Sequence, residues 1–311
     1  MMNYTKIFEY RLTLLCLTLL FSASVSAKFI AVAISAEDNF RNMITDSIEK
    51  QIDAKGDEVY MDSANEDFDT QYQQVKSFVE AGADAVIILP AGNMDQNQKF
   101  FEFAKKVPLI FIGVEPIADL SKMPPNTLYV GSNELESGTM QMEELARLAN
   151  NKGNVVLLIG EEKHTAAQKR TLDVKNVMAK YPDMKLITSK SGNWQRNQAY
   201  TIVSDWIKNK INFNILVANN DEMIVGGIMA LKDAGLDPKN YLTGGVDATH
   251  DALQEMDKGN LSVTVLQDAN GQGKGAVDAA YQMMNGQSVP NPMWIPFRLV
   301  TKANYTEYLN K

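Results

Sequence analysis

Cysteine is almost absent from this chain, and histidine is scarce. The only cysteine is Cys16, and the two histidines, His164 and His250, lie far apart in the sequence. No disulfide can therefore form within the chain, and no pair of histidines has the spacing of a zinc site. A G-x-S-x-G motif is also absent, so nothing identifies a serine nucleophile. These absences argue against thiol, zinc and serine-hydrolase chemistry, and we expect no catalysis, no metal and no cofactor.

Long apolar runs are absent too, with one exception near the start. Lys6 and Arg11 precede an apolar run over 12–21, and small residues follow up to Ala27. The run is shorter than the roughly 20 residues of a membrane-spanning helix. A charged segment, a short apolar segment and an A-x-A-like end indicate a signal peptide over 1–27, cleaved after Ala27. This predicts a protein that functions outside the cytoplasm; an N-terminal membrane anchor or a buried helix is the alternative.

Positive charge is in the minority. The net charge is −8, and Lys6, Arg11 and Glu9 give the first 27 residues a net +1, so residues 28–311 carry −9. An acidic surface repels phosphate backbones and anionic lipid headgroups, which argues against nucleic-acid binding and peripheral membrane binding. The length that remains exceeds one typical domain and suggests two.

The chain does contain a regular alternation of short apolar runs and longer amphipathic stretches. Apolar runs without polar alternation are typical of parallel strands buried on both faces. Repeated strand–helix units predict an α/β fold with doubly wound parallel sheets. One series of strands runs over 29–130 and a second over 154–266, which indicates two similar α/β lobes. The tail after Asn291 predicts one more strand before a short final helix.

Helix ends can also be predicted from the sequence. Two of the predicted helices span 69–81 and 95–106. Asp69, Asn220 and Thr249 have the residue types and positions of N-caps.

Several loops at the ends of predicted strands carry polar and aromatic side chains. Ligands of open parallel sheets bind beyond the carboxyl ends of the strands. The loop after the first strand brings Asp38, Phe40 and Arg41 together. Carboxylates accept hydrogen bonds from hydroxyl groups, and aromatic faces cover the CH side of a sugar ring. A purely structural interpretation stays open, with Asp38 near a helix dipole and Phe40 in the core.

Loops of the second series offer further candidates. Trp194 lies in a glycine-containing loop, and Asn220, Asp247 and Gln267 each follow a predicted strand. A tryptophan at such a place can stack on a ligand, and an aspartate can accept from its hydroxyl groups. Packing for Trp194, a helix cap for Asn220 and a turn for Asp247 are the structural alternatives.

Taken together, six motifs resemble the periplasmic sugar-binding proteins of ABC transporters, of the galactose/glucose- and ribose-binding type. The motifs are EDNF at 37–40, DSANED at 62–67, YVGSNELESG at 129–138, ANNDEM at 218–223, GGVDAT at 244–249 and VLQDANGQG at 265–273. The resemblance covers nearly all of 28–311. It implies a type I periplasmic binding protein fold, in which a three-segment hinge joins two doubly wound lobes. The implied lobes are 28–132 plus 268–293 and 133–267 plus 294–311, with crossings near 131–133, 267–269 and 292–295.

The resemblance also implies a role for individual residues. Asp38 matches an acceptor for a ring hydroxyl, and Phe40 and Trp194 match two aromatics that sandwich the sugar. The other polar matches are His164, Arg170, Asn220 and Asp247, while Gln267 stands where galactose/glucose binders have asparagine.

Departures from the family pattern concern the hydroxyl partners of the sugar. Apolar or small residues stand at Leu89, at Gly113 and Val114, and at Ala166, where relatives have polar side chains. An unpaired buried polar group costs roughly 1–3 kcal/mol, so glucose and galactose should fit badly. Another monosaccharide, a cyclitol such as inositol, or a less hydroxylated ligand fits better, with Arg41 compensating in part. The calcium loop of the hexose binders is missing at 150–153, so we expect no structural calcium.

The function that the resemblance implies is capture of a sugar or cyclitol and its delivery to an inner-membrane ABC permease, without catalysis, by a monomer. Some relatives also serve a chemoreceptor. The alternatives are a sensor input for a chemoreceptor or sensor kinase, an exported hydrolase on a similar fold, and a transcription repressor with the same lobes. A repressor of that kind carries a helix-turn-helix where this chain has its predicted signal peptide.

Overall fold

The computed structural model describes residues 27–309. The predicted signal peptide therefore lies outside the described residues, apart from Ala27. Within 27–309, no helix combines the length and the apolar character needed to cross a bilayer.

Short strands alternate with helices along the described chain. The strands are β1 (Phe29–Ile34), β2 (Glu58–Ser63), β3 (Ala85–Ile88), β4 (Leu109–Ile112), β5 (Thr127–Gly131), β6 (Gly153–Ile159), β7 (Met184–Ser191), β8 (Ile215–Ala218), β9 (Leu242–Gly244), β10 (Val263–Leu266), β11 (Met293–Trp294) and β12 (Arg298–Thr301). The helices are α1 (Asn39–Asp53), α2 (Phe68–Glu80), α3 (Met94–Asn97), α4 (Ser137–Leu148), α5 (Thr165–Met178), α6 (Arg196–Lys208), α7 (Asp221–Asp233), α8 (His250–Asp257) and α9 (Ala269–Met284). Short 3-10 helices span Gln98–Lys105, Leu120–Lys122, Pro238–Asn240 and Tyr305–Glu307.

The strands form two six-stranded sheets. The first has the order β11-β5-β4-β3-β1-β2 and the second the order β12-β10-β9-β8-β6-β7. All pairings are parallel except that of β10 with β12, which is antiparallel. The predicted α/β class with two doubly wound sheets is confirmed.

Helices cover both faces of each sheet because successive side chains of a strand point to opposite faces. In β1, Ile30 and Val32 pack with α1 and α9, whereas Ala31 and Ala33 pack with α2 on the other face. In the second sheet, α6, α7 and α8 cover one face, and α4 and α5 cover the other. Burial on both faces explains why these strands appear in the sequence as continuous apolar runs.

The chain passes from one sheet to the other three times. The passages lie between β5 and α4, between β10 and α9, and between β11 and β12. The prediction of a single strand after Asn291 was wrong, because two short strands form there, one in each sheet. Pro296, which has no N–H to donate, lies in the gap between them.

One predicted helix start, one predicted capping side chain and one predicted helix differ from the structure. Asp67, in an extended conformation, caps α2 by accepting from the amide of Thr70, so Asp69 lies inside the first turn rather than at the cap. Thr249 stands at the N-cap of α8, but its side chain makes no capping hydrogen bond. The helix predicted over 95–106 is α3 followed by a 3-10 helix.

Candidate functional site

A cavity of about 90 Å³, here called the inner cavity, lies between the two lobes at the carboxyl ends of their strands. All nine residues predicted to bind a ligand line it: Asp38, Phe40, Arg41, His164, Arg170, Trp194, Asn220, Asp247 and Gln267. The remaining lining residues are Ile44, Leu89, Gly113, Val114, Glu134 and Ala166. The family departures therefore line the same cavity, together with Glu134, which the sequence analysis had not selected.

Asp38 and Arg41 lie at the start of α1 and line the inner cavity. Asp38 is the N-cap of α1, and its Oδ1 accepts a hydrogen bond from the Arg41 amide over 2.7 Å. The Arg41 guanidinium lies 2.7 Å from Glu66 Oε1 and 3.3 Å from Asp38 Oδ2. Arg41 is therefore an ion-paired side chain in the wall of the cavity, and Asp38 retains acceptor capacity on its second oxygen.

Arg170 is held by residues from two of the three passages between the lobes. Its Nε and Nη2 donate to the two carboxylate oxygens of Glu134 over 2.8 and 3.0 Å. Nη2 also donates to Gln267 Oε1 over 2.9 Å, and Nη1 donates to the Asn219 carbonyl over 2.8 Å. All of these side chains are buried. A bidentate carboxylate satisfies a buried guanidinium in both charge and geometry, so most of the donors of Arg170 are committed within the protein.

The sequence offered a signal for Glu134 that was not used. Glu134 lies within the motif at 129–138, directly after β5. A buried arginine requires a counter-ion, and Arg170 was already a candidate.

Asp247 is the carboxylate of the cavity with the fewest partners. It is 4% exposed, and its closest cation is Arg170, whose Nη1 lies 3.8 Å from Oδ1. Burial raises the pKa of Asp247 well above its usual value, and Arg170 lowers it in part. The backbone of Asp247 and Ala248 has positive φ angles of 125° and 55°, an unfavourable conformation that is often found at binding sites. Oxygen atoms of Asp247 are thus available to hydroxyl donors in the cavity.

Asp221 does not line the cavity, but it fixes the loop that carries Asp247. Its two oxygens accept from the Thr264 hydroxyl and from the Thr249 amide, each over 2.8 Å. The pKa of Asp221 is nevertheless raised to about 7, because burial outweighs the effect of these hydrogen bonds.

His164 is both a helix cap and a part of the cavity wall. Its Nδ1 accepts from the Ala166 amide over 3.2 Å at the start of α5. The pKa of His164 is lowered to about 4, chiefly by burial and in part by the charge of Arg170, although the charge of Glu134 opposes this change. The ring is therefore neutral at neutral pH. Because Nδ1 is the acceptor, the proton is on Nε2, which can donate to a ligand.

The indole of Trp194 packs directly against Gly160, and its backbone lies in a strained turn. Asn193 and Trp194 have φ angles of 50° and 65°, and a Cβ added at Gly160 would overlap the benzo ring of the indole. The His164 ring meets the indole edge-on, with centroids 5.4 Å apart, and the Arg170 guanidinium lies 5.8 Å from the ring centroid. These contacts with Gly160, His164 and Arg170 restrict rotation of the indole ring.

Asn220 and Gln267 combine structural and cavity-facing roles. Asn220 caps α7 by accepting from the Met223 amide over 3.1 Å, and its Nδ2 donates to the Trp194 carbonyl over 3.3 Å. Gln267 accepts from Arg170 and donates to Glu134 over 3.4 Å. Both side chains can present only their remaining donor or acceptor capacity to a ligand.

The chemistry of the inner cavity is that of recognition. Two aromatic rings, an imidazole donor, carboxylate acceptors and amides suit a ring that carries hydroxyl groups. Within residues 27–309, no group of three or more His, Cys, Asp or Glu side chains is arranged to hold a metal ion.

The sequence and the fold both have known relatives. The family model described as periplasmic binding protein domain matches residues 30–288. A putative rhizopine-binding protein of Rhizobium meliloti is 36% identical over 300 residues, which are 94% of this chain and 96% of that protein. A xylitol-binding protein of Mycolicibacterium smegmatis is 26% identical over 284 residues, or 91% of this chain and 80% of that one.

A solved structure with the same fold is that of an ABC transporter solute-binding protein from Bacillus halodurans with bound myo-inositol. The two structures have a TM-score of 0.84 and a sequence identity of 31%. The match covers 93% of this chain and 99% of that one, so both lobes are included.

Proposed function

This chain belongs to the periplasmic binding protein domain family, and on that premise we propose that it captures a monosaccharide or a related polyol between its lobes and delivers it to an ABC transporter permease. Proteins of this family carry solutes and do not convert them, so the chain is not an enzyme. The family is periplasmic. We further propose that a signal peptide cleaved after Ala27 directs its export. The mature chain acts as a monomer in this proposal.

The observation that carries this proposal is the make-up of the inner cavity. Phe40 from the first lobe and Trp194 from the second line it together with Asp38, His164 and Asp247. Aromatic faces bind the CH faces of a polyol ring, and the polar side chains exchange hydrogen bonds with its hydroxyl groups. We assign ligand contacts to all nine predicted residues, with Glu134 as the group that fixes Arg170.

Binding stabilises the closed arrangement of the lobes. Residues 28–132 and 268–294 form the first lobe, and residues 133–267 with the chain from 295 onward form the second. The predicted boundary after 293 moves by one residue because Trp294 pairs with Gly131 of β5 in the first sheet. A ligand in the inner cavity contacts both lobes only when they are close together, so it shifts the population toward the closed state. The permease then recognises the closed form.

The ligand we propose is a cyclitol or sugar alcohol rather than glucose or galactose. Leu89, Val114 and Ala166 make part of the wall apolar, which leaves fewer partners for hydroxyl groups there. Each unpaired buried hydroxyl costs roughly 1–3 kcal/mol. The names of two relatives, one a xylitol-binding protein and one with bound myo-inositol, support this choice.

The test is a thermal-shift and calorimetric panel on residues 28–311, freed of ligand by unfolding and refolding. The panel contains myo-inositol, xylitol, pentoses and hexoses, with amino acids as controls. A ligand at 100 times its Kd stabilises the folded chain by about 2.7 kcal/mol, which raises the Tm by several degrees. A shift with a polyol supports the proposal, and a shift with amino acids alone overturns it. A pull-down that returned a receptor or sensor kinase instead of a permease would favour the sensor alternative.

A further inference from the structure

A second, larger cavity opens beside the inner one. This outer cavity has a volume of about 470 Å³, and it shares Arg41, Val114 and His164 with the inner cavity. Because three residues line both, the two spaces adjoin at the wall that these residues form. A group attached to a ring in the inner cavity would reach the outer cavity by passing between the side chains of these residues.

The outer cavity is formed by both lobes. Ala91, Asn93 and Asn97 line it from the loop and helix that follow β3, and Lys163 and Gln168 line it from the region around the start of α5. Like the inner cavity, it exists in this shape only when the lobes are close together. A ligand group placed there would also contribute to closure.

The lining of the outer cavity is polar. Lys163 and Gln168 are exposed, and the carboxylate of Glu66 on its wall lies 2.7 Å from Arg41. Asn97 is 1% exposed, and its Oδ1 has no hydrogen-bond partner among the described residues, while Nδ2 donates to the Gly92 carbonyl. Lys163 and Gln168 can therefore exchange hydrogen bonds with a polar substituent in this space.

From these observations we infer that the outer cavity is a second subsite, which takes a polar substituent on the bound ring, such as a second sugar unit. The inference rests on the proposed function and deepens it, because it names substituted polyols and glycosides as the ligand class. Arg41 lies between the two subsites and is held by Asp38 on one side and Glu66 on the other.

The experiment measures Kd by calorimetry for matched pairs of probes: myo-inositol and galactinol, D-glucose and maltose, and D-galactose and lactose. We expect at least one substituted probe to bind within threefold of its parent or more tightly. Binding of a parent with a loss of 100-fold or more for every substituted probe would overturn the inference and leave the proposed function intact. No binding of any probe, including the full panel above, would overturn both.

Variants that fill the outer cavity make the test specific. Ala91→Phe and Lys163→Trp add bulk to opposite walls and leave the inner cavity unchanged, since neither residue lines it. We expect each to weaken the substituted probe at least tenfold and to leave the parent within twofold. Lys208→Trp, on the exposed end of α6, is the matched control. Equal loss for parent and substituted probe in both folded variants would contradict a separate subsite.

Discussion

Lys169 Nζ lies 2.8 Å from Glu115 Oε2, and this ion pair joins α5 of the second lobe to the loop that follows β4 of the first. A second contact between the lobes lies at the starts of α1 and α7, where Asn39 Nδ2 donates to Glu222 Oε1 over 2.8 Å. Neither Lys169 nor Glu222 lines the inner cavity. The closed arrangement is thus supported by protein contacts that a ligand does not replace.

Removing the first of these contacts should weaken binding without changing the cavity. Lys169→Met deletes the charge, and partly exposed ion pairs contribute about 0.2–1 kcal/mol, so we expect affinity to fall by a factor of about 1.4 to 5. The loss should appear in the dissociation rate measured by stopped flow, and it should shrink at high salt. Lys175→Met, an exposed lysine on the same helix, is the control. Equal affinities for the two variants would show that the ion pair does not affect closure.

The two aromatic rings should each contribute strongly to binding. Phe40→Ala and Trp194→Ala remove the faces proposed to cover the ligand ring, and we expect each to raise the Kd measured by calorimetry tenfold or more. Trp294→Ala is the control, because this tryptophan is 46% exposed and does not line the inner cavity. Unchanged affinity in both cavity variants would refute the sandwich.

The packing of Trp194 against Gly160 predicts that substitutions at these two positions have non-additive effects on binding. A Cβ in Gly160→Ala overlaps the benzo ring, so the indole must move, and we expect at least fivefold weaker binding and a changed tryptophan emission spectrum. The smaller ring of Trp194→Phe removes this overlap. In that background Gly160→Ala should therefore cost little more affinity, which a double-mutant cycle measures. Additive losses would mean that Gly160 acts by another route.

Asp247→Asn should separate binding from folding. Burial raises the pKa of Asp247, which means that the unliganded fold disfavours the charged carboxylate, so removing this charge should not lower the unliganded Tm. The amide offers a poorer acceptor to hydroxyl groups, and we expect affinity to fall at least tenfold. Asp183→Asn, at an exposed position, is the control for both measurements. A large fall in the unliganded Tm would instead assign Asp247 a structural role.

The pKa of His164 predicts how stability changes with acid. Its folded value of about 4 lies below the ordinary 6.5, so below pH 6.5 the unfolded chain binds this proton more readily and stability falls until about pH 4. The difference amounts to about 3 kcal/mol. His164→Asn keeps a capping side chain but does not titrate. In denaturant unfolding at pH 7, 5.5 and 4, the variant should therefore lose less stability than the wild type.

Asp221 also titrates between pH 4 and 7. The pH profile of His164→Asn is therefore compared with that of the wild type. Burial raises the pKa of Asp221 to about 7, so this group stabilises the fold as the pH falls, opposite in sign to His164. It is present in both proteins and cancels in their difference. His250→Asn, at the exposed histidine, is the matched control. A pH profile of His164→Asn parallel to that of the wild type would contradict the lowered pKa.

The sequence predicted those parts of the structure that local physics determines. Strands such as β3 and β4 are buried on both faces, so continuous apolar runs revealed them. Eight of the nine predicted site residues lie in loops or first helical turns at strand ends, where the topology of parallel sheets directs ligands, and Arg170 lies in the second turn of α5. Their roles in binding remain predictions.

What the sequence did not reveal depends on contacts between distant segments. Glu134 lies within a motif that the sequence contains, but its pairing with Arg170, 36 residues away, is visible only in the fold. The split of the tail into β11 and β12 follows from the sheet that each short strand joins, and a local pattern contains no such information. Asp67 and Asp69 are both acceptable N-caps by residue type, and only the extended backbone at Asp67 distinguishes them.

Three residues of the inner cavity, Asp38, His164 and Asn220, also cap the helices α1, α5 and α7. Each of them is therefore selected twice, once for ligand recognition and once for helix stability, and its replacement would cost both. Val114 and Ala166 have side chains that form no hydrogen bonds in the described structure, so they escape this double constraint. Evolution of a new ligand preference, or its redesign in the laboratory, should accordingly proceed through Val114 and Ala166 while the three capping residues stay in place.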